Sequence, residues 1–432
     1  MSAAGHGHGH GHGHGAGDRR IEAAAVRRGL VAVVVAVAAV AVAGLALWWP
    51  GGDPDVDREV LGFGSRVEAT VTSAERTACV GDPAVRCNVV RAQVTSGPEA
   101  GDSATFEATL DVDTPAAALR PDDRIVLNDA GEDVPAEVRY SFADMQRTLP
   151  LLVLAAVFAV VVVALGRWRG LAALVGIAVS LGVLLAFVFP ALLEGAPPLG
   201  VALSGAAVIA YATLYLAHGV NDRTTVALVG TLASLGLTAV LAVSFAGAAA
   251  LSGLASEESI NLLAFAPDLD FRGLLLAAVV IGTLGVLDDV TITQVSAVWE
   301  LHRSDPSLRP RALYAAGIRI GRDHIASTVN TLVLAYAAAA LPLLLLFTQS
   351  GLGFGEIVAS ETVAVEIVQT LVGSIGLVAS VPLTTALACW ILTRAPADPL
   401  PPPDEVWEWR EERETDPWSP AGPYWGAVPP RR

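Results

Sequence analysis

The feature that most constrains this chain is a series of eight apolar stretches, each long enough to cross a lipid bilayer as a helix. Such a helix needs about 20 predominantly apolar residues to span about 30 Å of hydrocarbon. Of the 432 residues, 53% are hydrophobic and 16% are charged, against about 25% charged in soluble domains. The sequence therefore predicts a polytopic α-helical membrane protein. The predicted helices cover residues 30–49, 148–165, 170–193, 199–217, 224–250, 273–299, 324–348 and 363–393.

The arginine distribution predicts which side of the membrane each loop faces. All 27 basic residues are Arg, and cytoplasmic loops carry an excess of basic residues. If the chain crosses the membrane eight times and starts in the cytoplasm, the short outer loops are 190–198, 250–272 and 349–362. Together these loops contain a single arginine, Arg272. We therefore expect both termini in the cytoplasm. The arginines expected on the inner side are Arg19, Arg20, Arg27, Arg28, Arg167, Arg169, Arg223, Arg394 and those from Arg303 to Arg322.

Residues 50–147 are the one long soluble segment between predicted helices. Runs such as "SRVEATVTSAE" and "DRIVLND" alternate apolar and polar residues, which is typical of half-buried strands. Five or six such strands predict a small extracytoplasmic all-β domain, an OB-like barrel or a sandwich, between helices 1 and 2. Cys79 and Cys87 lie in a compartment that permits disulfides and are expected to pair. The domain is acidic and the chain has a net charge of −16, which argues against nucleic acid as a partner.

Both ends of the chain have a low-complexity composition. Residues 1–29 include "GHGHGHGHGHG", whose imidazoles could chelate Zn, Ni or Cu; the alternative is a disordered tail with incidental metal affinity. Residues 395–432 are Pro-rich and acidic and predict a disordered cytoplasmic tail. Residues 30–49 are longer than the apolar core of a signal peptide, so we expect a retained first helix, followed after the β domain by a seven-helix membrane domain, 148–394. The candidate metal ligands are His6, His8, His10, His12 and His14, and no cofactor is expected.

The sixth predicted helix carries two adjacent aspartates, Asp288 and Asp289, in "GTLGVLDDVTITQ". A charge near the membrane centre costs at least about 2.5–3.5 kcal/mol on insertion scales, so such residues face the bundle interior or a water-filled cavity. Asp289 begins a polar stripe on one helical face. We expect this stripe to face the interior, with Asp289 as the principal carrier and Asp288 beside it. The stripe continues through Thr293, Ser296 and Glu300.

The seventh predicted helix has a similar polar face, formed by Asp323, Ser327 and Asn330. A short cytoplasmic segment joins the sixth and seventh helices, so we expect them to be neighbours whose polar faces meet. Two carboxylates this close in a low dielectric cannot both ionise cheaply. One of them could then carry a proton or replace the water shell of a cation. The alternative is a polar clamp that only fastens the two helices together.

The two segments together resemble a known family. "GTLGVLDDVTITQVSAVWEL" (282–301), followed by "ALYAAGIRIGRDHIASTVNTLVLAY" (312–336), is similar to the core of the YibE/F-like membrane proteins. "FADMQRTLPLLVLAAVFAVVVVALGRWRG" (142–170) resembles that family's entry into its membrane domain, and the resemblance covers about residues 60–394. It implies a multi-pass protein of the bacterial plasma membrane with permease function. Family members usually have one Asp in the helix where this chain has the pair.

A second resemblance concerns the aspartate helix alone. "GVLDDVTITQVSAVWELHR" is similar to the proton-relay helix of resistance–nodulation–division permeases, in which a paired Asp lies in mid-membrane. That resemblance implies that the two aspartates take part in proton movement.

These features predict an ion- or proton-coupled transporter in which protons or divalent cations pass Asp288, Asp289 and Asp323. The alternative is a non-transporting assembly or accessory protein with the outer β domain as its docking surface. An intramembrane aspartyl protease would need two Asp on separate helices, but the Tyr-Asp and Gly-x-Gly-Asp contexts of such enzymes are missing. The sequence also lacks a Ser-centred elbow, a phosphate loop and a His-Glu metal helix, so we expect no enzyme activity. The expected partner is the lipid bilayer.

Overall fold

Long apolar helices and one small sheet make up the fold, as the sequence predicts. The computed structural model describes residues 14–52, 65–78, 86–109, 118–131, 134–135 and 139–394. In chain order the elements are α1 His14–Leu47, β1 Ser65–Ala78, β2 Arg86–Val94, β3 Ser103–Thr109, β4 Arg124–Asp129, β5 Tyr140–Met145, α2 Thr148–Val183, a π-helical turn Leu184–Val188, α3 Phe189–Leu193, α4 Pro198–His218, α5 Asp222–Ala248, α6 Glu257–Phe265, α7 Phe271–Ser304, α8 Pro310–Ala339, α9 Leu341–Gln349, α10 Phe354–Ala359 and α11 Glu361–Leu392.

The described residues include six helices that are long and apolar enough to cross a membrane, and a seventh candidate made of two helices joined at a bend. Five of the six agree with predicted helices, although several extend beyond the predicted ends. The number of crossings, eight, stays a prediction. The five are Arg27–Leu47, Pro198–His218, Asp222–Ala248, Phe271–Ser304 and Glu361–Leu392.

Two of the predicted helices form one apolar stretch, Thr148–Leu193, with a sharp bend at Arg167. A straight helix of 46 residues would be about 69 Å long, more than twice the hydrocarbon thickness. Arg167 has φ 51° and ψ −130°, values outside the helical region. A Cβ atom at Gly170 would collide with the Val162 carbonyl oxygen, although these residues are about 12 Å apart in a straight helix. The chain therefore folds back sharply here, which supports two helices rather than one.

The predicted helix 324–348 is a bent pair in the structure. α8 and α9 meet at an angle of 62°. Pro342 lies in the first turn of α9, where its missing N–H and its ring prevent α8 from continuing straight. α8 also begins earlier than predicted, at Pro310. The polar residues Asp323, Ser327 and Asn330 therefore lie on α8, before the bend.

Four helices, α4, α5, α7 and α11, form the core of the membrane domain. Their facing sides are apolar and almost fully buried, as a helix bundle requires. The side chains of these four helices therefore decide what the interior of the bundle can hold. The largest fully buried side chains on them and on α8 are Leu228, Leu235, Leu287, Leu313 and Leu377.

Glycines bring α5 and α11 close together. A Cβ atom at Gly376 would collide with the hydroxyl oxygen of Thr238, and one at Gly230 would collide with the Thr384 side chain. Small residues at such positions let membrane helices approach and pack by van der Waals contact. As a result, hydroxyl groups on the two helices are pressed into the same interface.

The first helix, α1, packs against the membrane domain along its length, with polar contacts at three levels. In the middle contact, the hydroxyl of a half-buried tyrosine of α4 donates to a main-chain carbonyl of α1, which fixes the height of α1 relative to α4. The contacts are the ion pair of Arg27 with Asp222 (3.2 Å), the bond from the Tyr211 hydroxyl to the Val34 carbonyl, and the bond from the Gly51 N–H to the Glu194 carboxylate (3.0 Å).

The predicted β domain contains a five-stranded sheet in the order β3-β2-β1-β4-β5, with antiparallel neighbours. The rings of Phe106 in β3 and Phe142 in β5 lie 6.3 Å apart between centroids. Because these strands are the two ends of the sheet, the sheet must curl until its edges approach each other. Alternate residues of the strands fill the inside of this curl, in agreement with the predicted small all-β unit. They include Val67, Ala69, Val71, Val90, Ala92, Val94, Ala104, Ile125 and Leu127.

A buried ion pair joins the end of β4 to the start of β5. The Arg139 guanidinium donates to both carboxylate oxygens of Asp129, at 2.7 and 2.9 Å. These hydrogen bonds hold the pKa of Asp129 below its ordinary value, although burial opposes them. The stabilisation from this carboxylate is therefore present at neutral pH and is lost as the pH falls below about 4.

One cysteine of the predicted pair is described. Cys87, in β2, is disulfide-bonded, and Cys389 is free and buried. Cys79 lies outside the described residues, so its pairing with Cys87 stays a prediction.

Replacing Gly376 with Ala should lower the thermal stability of the detergent-solubilised protein. Overpacking costs about 1–3 kcal/mol, which exceeds the gain of up to about 1 kcal/mol from placing Ala instead of Gly in a helix. Gly236→Ala is the matched control, because nothing lies within 4 Å of the Cβ position at Gly236 on α5. A thermal unfolding curve followed by circular dichroism makes the comparison. Equal stability of the two variants would contradict the described packing of α5 against α11.

Candidate functional site

Asp288 is an intramembrane carboxylate that the fold turns toward the bundle interior. It lies 17 residues from the start of α7, about 25 Å along the helix axis. The Thr213 hydroxyl of α4 donates to Asp288 Oδ2 at 2.8 Å. The other oxygen, Oδ1, is buried and has no hydrogen-bond partner among the described residues.

Two more hydroxyl groups complete the surroundings of Asp288. Thr231 of α5 and Thr291 of α7 are fully buried, and their hydroxyl oxygens lie 2.6 Å apart. The Thr291 hydroxyl also donates to the Asp288 main-chain carbonyl oxygen at 3.2 Å, so Thr231 is connected to Asp288 through Thr291. We call Thr213, Thr231, Asp288 and Thr291 the Asp288 cluster. It joins α4, α5 and α7 at one level of the bundle.

The helical phase of α7 explains why Asp288 points inward. Leu284, Thr291 and Val295 are buried and lie on the same side of the helical wheel as Asp288, at steps of four, three and seven. Leu287, one residue before Asp288, is buried as well. The apolar residues of this face pack against α4, α5 and α11, so the face is fixed by core packing. Asp288 is therefore carried inward on the hydrophobic side of its helix.

No opposite charge accompanies this carboxylate. Among the described residues, the ion pairs involve other carboxylates, and no group of three or more His, Cys, Asp or Glu could hold a metal ion. An ionised carboxylate inside a membrane-spanning bundle is unfavourable unless it has a charge partner or contact with water. Asp288 is half-buried, so a bound proton, a bound cation or water at its exposed part can offset its charge.

The face headed by Asp289 is directed differently from our expectation. Asp289, Thr293 and Glu300 are exposed, and Ser296 is half-buried. The Thr293 and Ser296 hydroxyls donate to carbonyls of their own helix, at 2.7 Å each. This stripe does not face the bundle interior, because the apolar residues around Asp288 occupy that side of α7.

The polar face of α8 is also on the outside. Asp323, Ser327 and Asn330 are exposed, whereas Gly317 and Gly321, on the other side of the helix, pack against α7 and α11. The expected meeting of the Asp289 and Asp323 faces is therefore wrong. The close packing of Gly317 and Gly321 fixes the orientation of α8. The opposite side of the helix, which carries Asp323, therefore remains exposed. The assignment of these residues to a transport pathway stays a prediction.

The residue that ties α8 to the bundle was not among the sequence candidates. The Gln294 side chain donates to the Gly317 carbonyl at 2.9 Å and to the Thr385 hydroxyl at 2.7 Å, and it is 3% exposed. A single Gln in an apolar span is a signal that could have found it, since a buried amide needs partners on neighbouring helices. Gln294 thus links α7, α8 and α11 one and a half turns from Asp288.

The proposed histidine ligands lie at the edge of what the structure describes. His6, His8, His10 and His12 lie outside the described residues. His14 is the first residue of α1, and the positions of these imidazoles relative to one another stay untested.

An apolar cavity of about 360 Å³ lies between α1, α4 and α5. Ser204 is its one hydroxyl-bearing residue, and no member of the Asp288 cluster lines it. The cavity therefore offers no acid, base or metal ligand.

Comparison with known proteins places the fold in a family. The family described as YibE/F-like protein matches residues 154–394, more than half of the 432 residues. The chain belongs to the YibE/F-like family. All members of the Asp288 cluster lie in the part that matches the YibE/F-like family, whereas α1 and the β domain precede it.

The other comparisons add no relative. No curated protein and no solved structure matches the chain. The resemblance to resistance–nodulation–division permeases is not supported by these comparisons.

The two aspartates should respond differently to a positive charge. Asp288→Lys should reduce the yield of folded protein strongly, because an unpaired charge buried among hydroxyls and leucines costs about 3 kcal/mol or more. Asp289→Lys is the matched control, since position 289 is exposed and a lysine there can keep its ammonium group in water. Size-exclusion chromatography of the two detergent-purified variants measures the folded fraction. Similar loss in both variants would contradict the assignment of Asp288 to the interior.

Proposed function

We propose that this protein is a proton- or cation-coupled membrane transporter in which Asp288 is the carrier group. The observation that carries the proposal is the Asp288 carboxylate itself, which receives a hydrogen bond from the Thr213 hydroxyl of α4 and has no ion-pair partner among the described residues. Ionisable residues inside membrane spans are rare and mark ion pathways and proton relays. A carboxylate that served only to fasten helices would be expected to have both oxygens hydrogen-bonded.

The surroundings of Asp288 suit a reversible site better than a permanent one. The Thr213 hydroxyl that contacts Asp288 can donate or accept a hydrogen bond, so it can adapt to a protonated or an ionised carboxylate. A fixed arginine or lysine partner would instead hold the carboxylate ionised at all times. Binding and release of a positive charge at Asp288 is the elementary step of coupled transport.

Asp289 is assigned a lesser part in this proposal. It lies within electrostatic reach of His218 at the end of α4 and is exposed. Its carboxylate would raise the local concentration of cations beside Asp288 without binding them in the interior. Asp323, Ser327 and Asn330 would likewise attract cations at the surface of α8.

The proposed orientation puts the N-terminus and the C-terminus in the cytoplasm of a multi-pass plasma-membrane protein. The ion pair between Arg27 and Asp222 joins the first turn of α5 to the start of the apolar part of α1, and the arginine rule assigns this level to the cytoplasmic side. Trp48 and Glu194 lie at the opposite level. The β domain follows α1 there and would lie outside.

Transport should depend on Asp288 and not on its neighbour. In proteoliposomes that contain a pH-sensitive dye, wild-type protein should move protons when each of a panel of monovalent and divalent cations is offered in turn. Asp288→Asn removes the charge and keeps the shape, so we expect loss of this movement in protein that still purifies as a folded species. Asp289→Asn, the matched control, should keep most of the activity.

Two results would overturn the proposal. One is wild-type protein that moves neither protons nor cations, which would favour the non-transporting accessory role. The other is an Asp288→Asn variant that transports at the wild-type rate.

A further inference from the structure

A column of buried hydroxyl groups leads away from the Asp288 cluster along α5. Thr231, Ser234 and Thr238 are each 0% exposed, and their spacing of three and four residues places them on one helical face. The column extends over seven residues, about 10 Å along the helix axis, toward the end of α5 that is expected on the outer side. We call these three residues the hydroxyl column.

The neighbouring helices face the column with further hydroxyls and with glycines. Gly376 of α11 leaves the space that the Thr238 hydroxyl occupies. Ser380 and Thr384 of α11 are both 0% exposed. The Thr238 and Ser380 hydroxyls donate to carbonyls of their own helices, at 2.9 and 2.7 Å. Their oxygen lone pairs therefore remain free to accept a hydrogen bond from a guest in the interior.

The Ser234 hydroxyl points to water as that guest. It is completely buried and has no hydrogen-bond partner among the described residues. Buried polar side chains nearly always have a partner, either protein or an ordered water molecule. The same is true of Asp288 Oδ1. Ser234 follows Thr231 on α5 and Asp288 precedes Thr291 on α7, so both unpartnered atoms lie toward the expected outer side of the Thr231–Thr291 contact.

An apolar cluster closes the outer end of the column. Its members come from α5, α7, α11 and the loop after α5, and none of them offers a hydrogen bond. Water that occupies the column is therefore separated from the outer solution while this cluster is packed. The buried members are Ala242, Ala246, Leu251, Leu276, Val279 and Val372.

We propose that the hydroxyl column holds water molecules that carry protons between Asp288 and the outer side of the membrane, with the apolar cluster as the gate. This rests on the proposed function and names its coupling ion. A divalent cation such as Ca²⁺ takes six to eight oxygen ligands, usually with several carboxylates, whereas the Asp288 cluster has one carboxylate. Hydroxyls and water can pass a proton by exchanging hydrogen bonds, and the proton ends on the carboxylate.

Cysteine labelling tests whether the column contains water. In a Cys389→Ser background, Ser234→Cys is compared with Ala239→Cys, which is a buried position on α5 in the apolar core. The probe is 2-aminoethyl methanethiosulfonate, added to intact cells. We expect Ser234→Cys to react about tenfold faster than Ala239→Cys, because a thiol without water contact reacts only when the helix opens locally. Ala239 lies five residues nearer the expected outer end of α5. If labelling depended only on depth in the membrane, Ala239→Cys would therefore react faster than Ser234→Cys.

The gate gives a second comparison. Val279→Ala removes bulk from the apolar cluster and should increase the labelling rate of Ser234→Cys several-fold while leaving that of Ala239→Cys unchanged. Equal labelling of the two cysteines, with or without Val279→Ala, would overturn the water column. If Ser234→Cys does not accumulate, Thr238→Cys replaces it with the same expectation.

Proton flux in proteoliposomes separates this inference from the proposed function. Ser234→Val fills the space of a water molecule and should lower the flux about tenfold. Gly236→Ala is the matched control on α5, because nothing lies within 4 Å of its Cβ position and it is outside the column, and it should keep most of the flux. Equal flux in Ser234→Val and wild type would overturn the column while the carrier role of Asp288 still stands. Sodium movement without any proton movement would overturn the proton as coupling ion. Loss of the Asp288 dependence would overturn the proposed function, whatever the labelling shows.

Discussion

The main physical constraint on this structure is a carboxylate, Asp288, that lies in a helix bundle without an opposite charge among the described residues. Asp288 receives one hydrogen bond from Thr213, and its second oxygen has no partner among the described residues. Such a group is tolerated in a membrane only where a proton, a cation or water offsets its charge. In the proposed function, the packing of α4, α5 and α7 around Asp288 supports a site that binds and releases a positive charge.

The rest of the membrane domain keeps that site in place. Glycines bring α5 and α11 close enough to bury hydroxyls between them, and Gln294 ties α8 to the two helices it packs on. The first helix is bound to α4 through the Tyr211 hydroxyl. Packing in membranes depends on such close contacts and hydrogen bonds because apolar burial gives little preference over lipid. The fold is thus organised around polar contacts at a few levels.

Much of this architecture could be predicted from the sequence, but the orientation of its polar faces could not. Apolar length located the helices, and strand alternation located the curled sheet. Asp288 and Asp289 point in directions that differ by about 100° around the axis of α7. The more polar face, which begins at Asp289, is not the face that points into the bundle. Thr293 and Ser296 satisfy their hydroxyls on carbonyls of their own helix, so a row of such residues needs no polar neighbour. Leu284 and Leu287 pack in the core, and their packing determines which side of α7 faces the bundle interior.

Infrared difference spectroscopy tests the central claim most directly. Protein in lipid is acidified stepwise, and the carbonyl band of a protonated carboxyl group in an apolar environment is followed. The account predicts that this band is present in wild type and in Asp289→Asn and is missing in Asp288→Asn. A band that persists in Asp288→Asn and disappears in Asp289→Asn would contradict it.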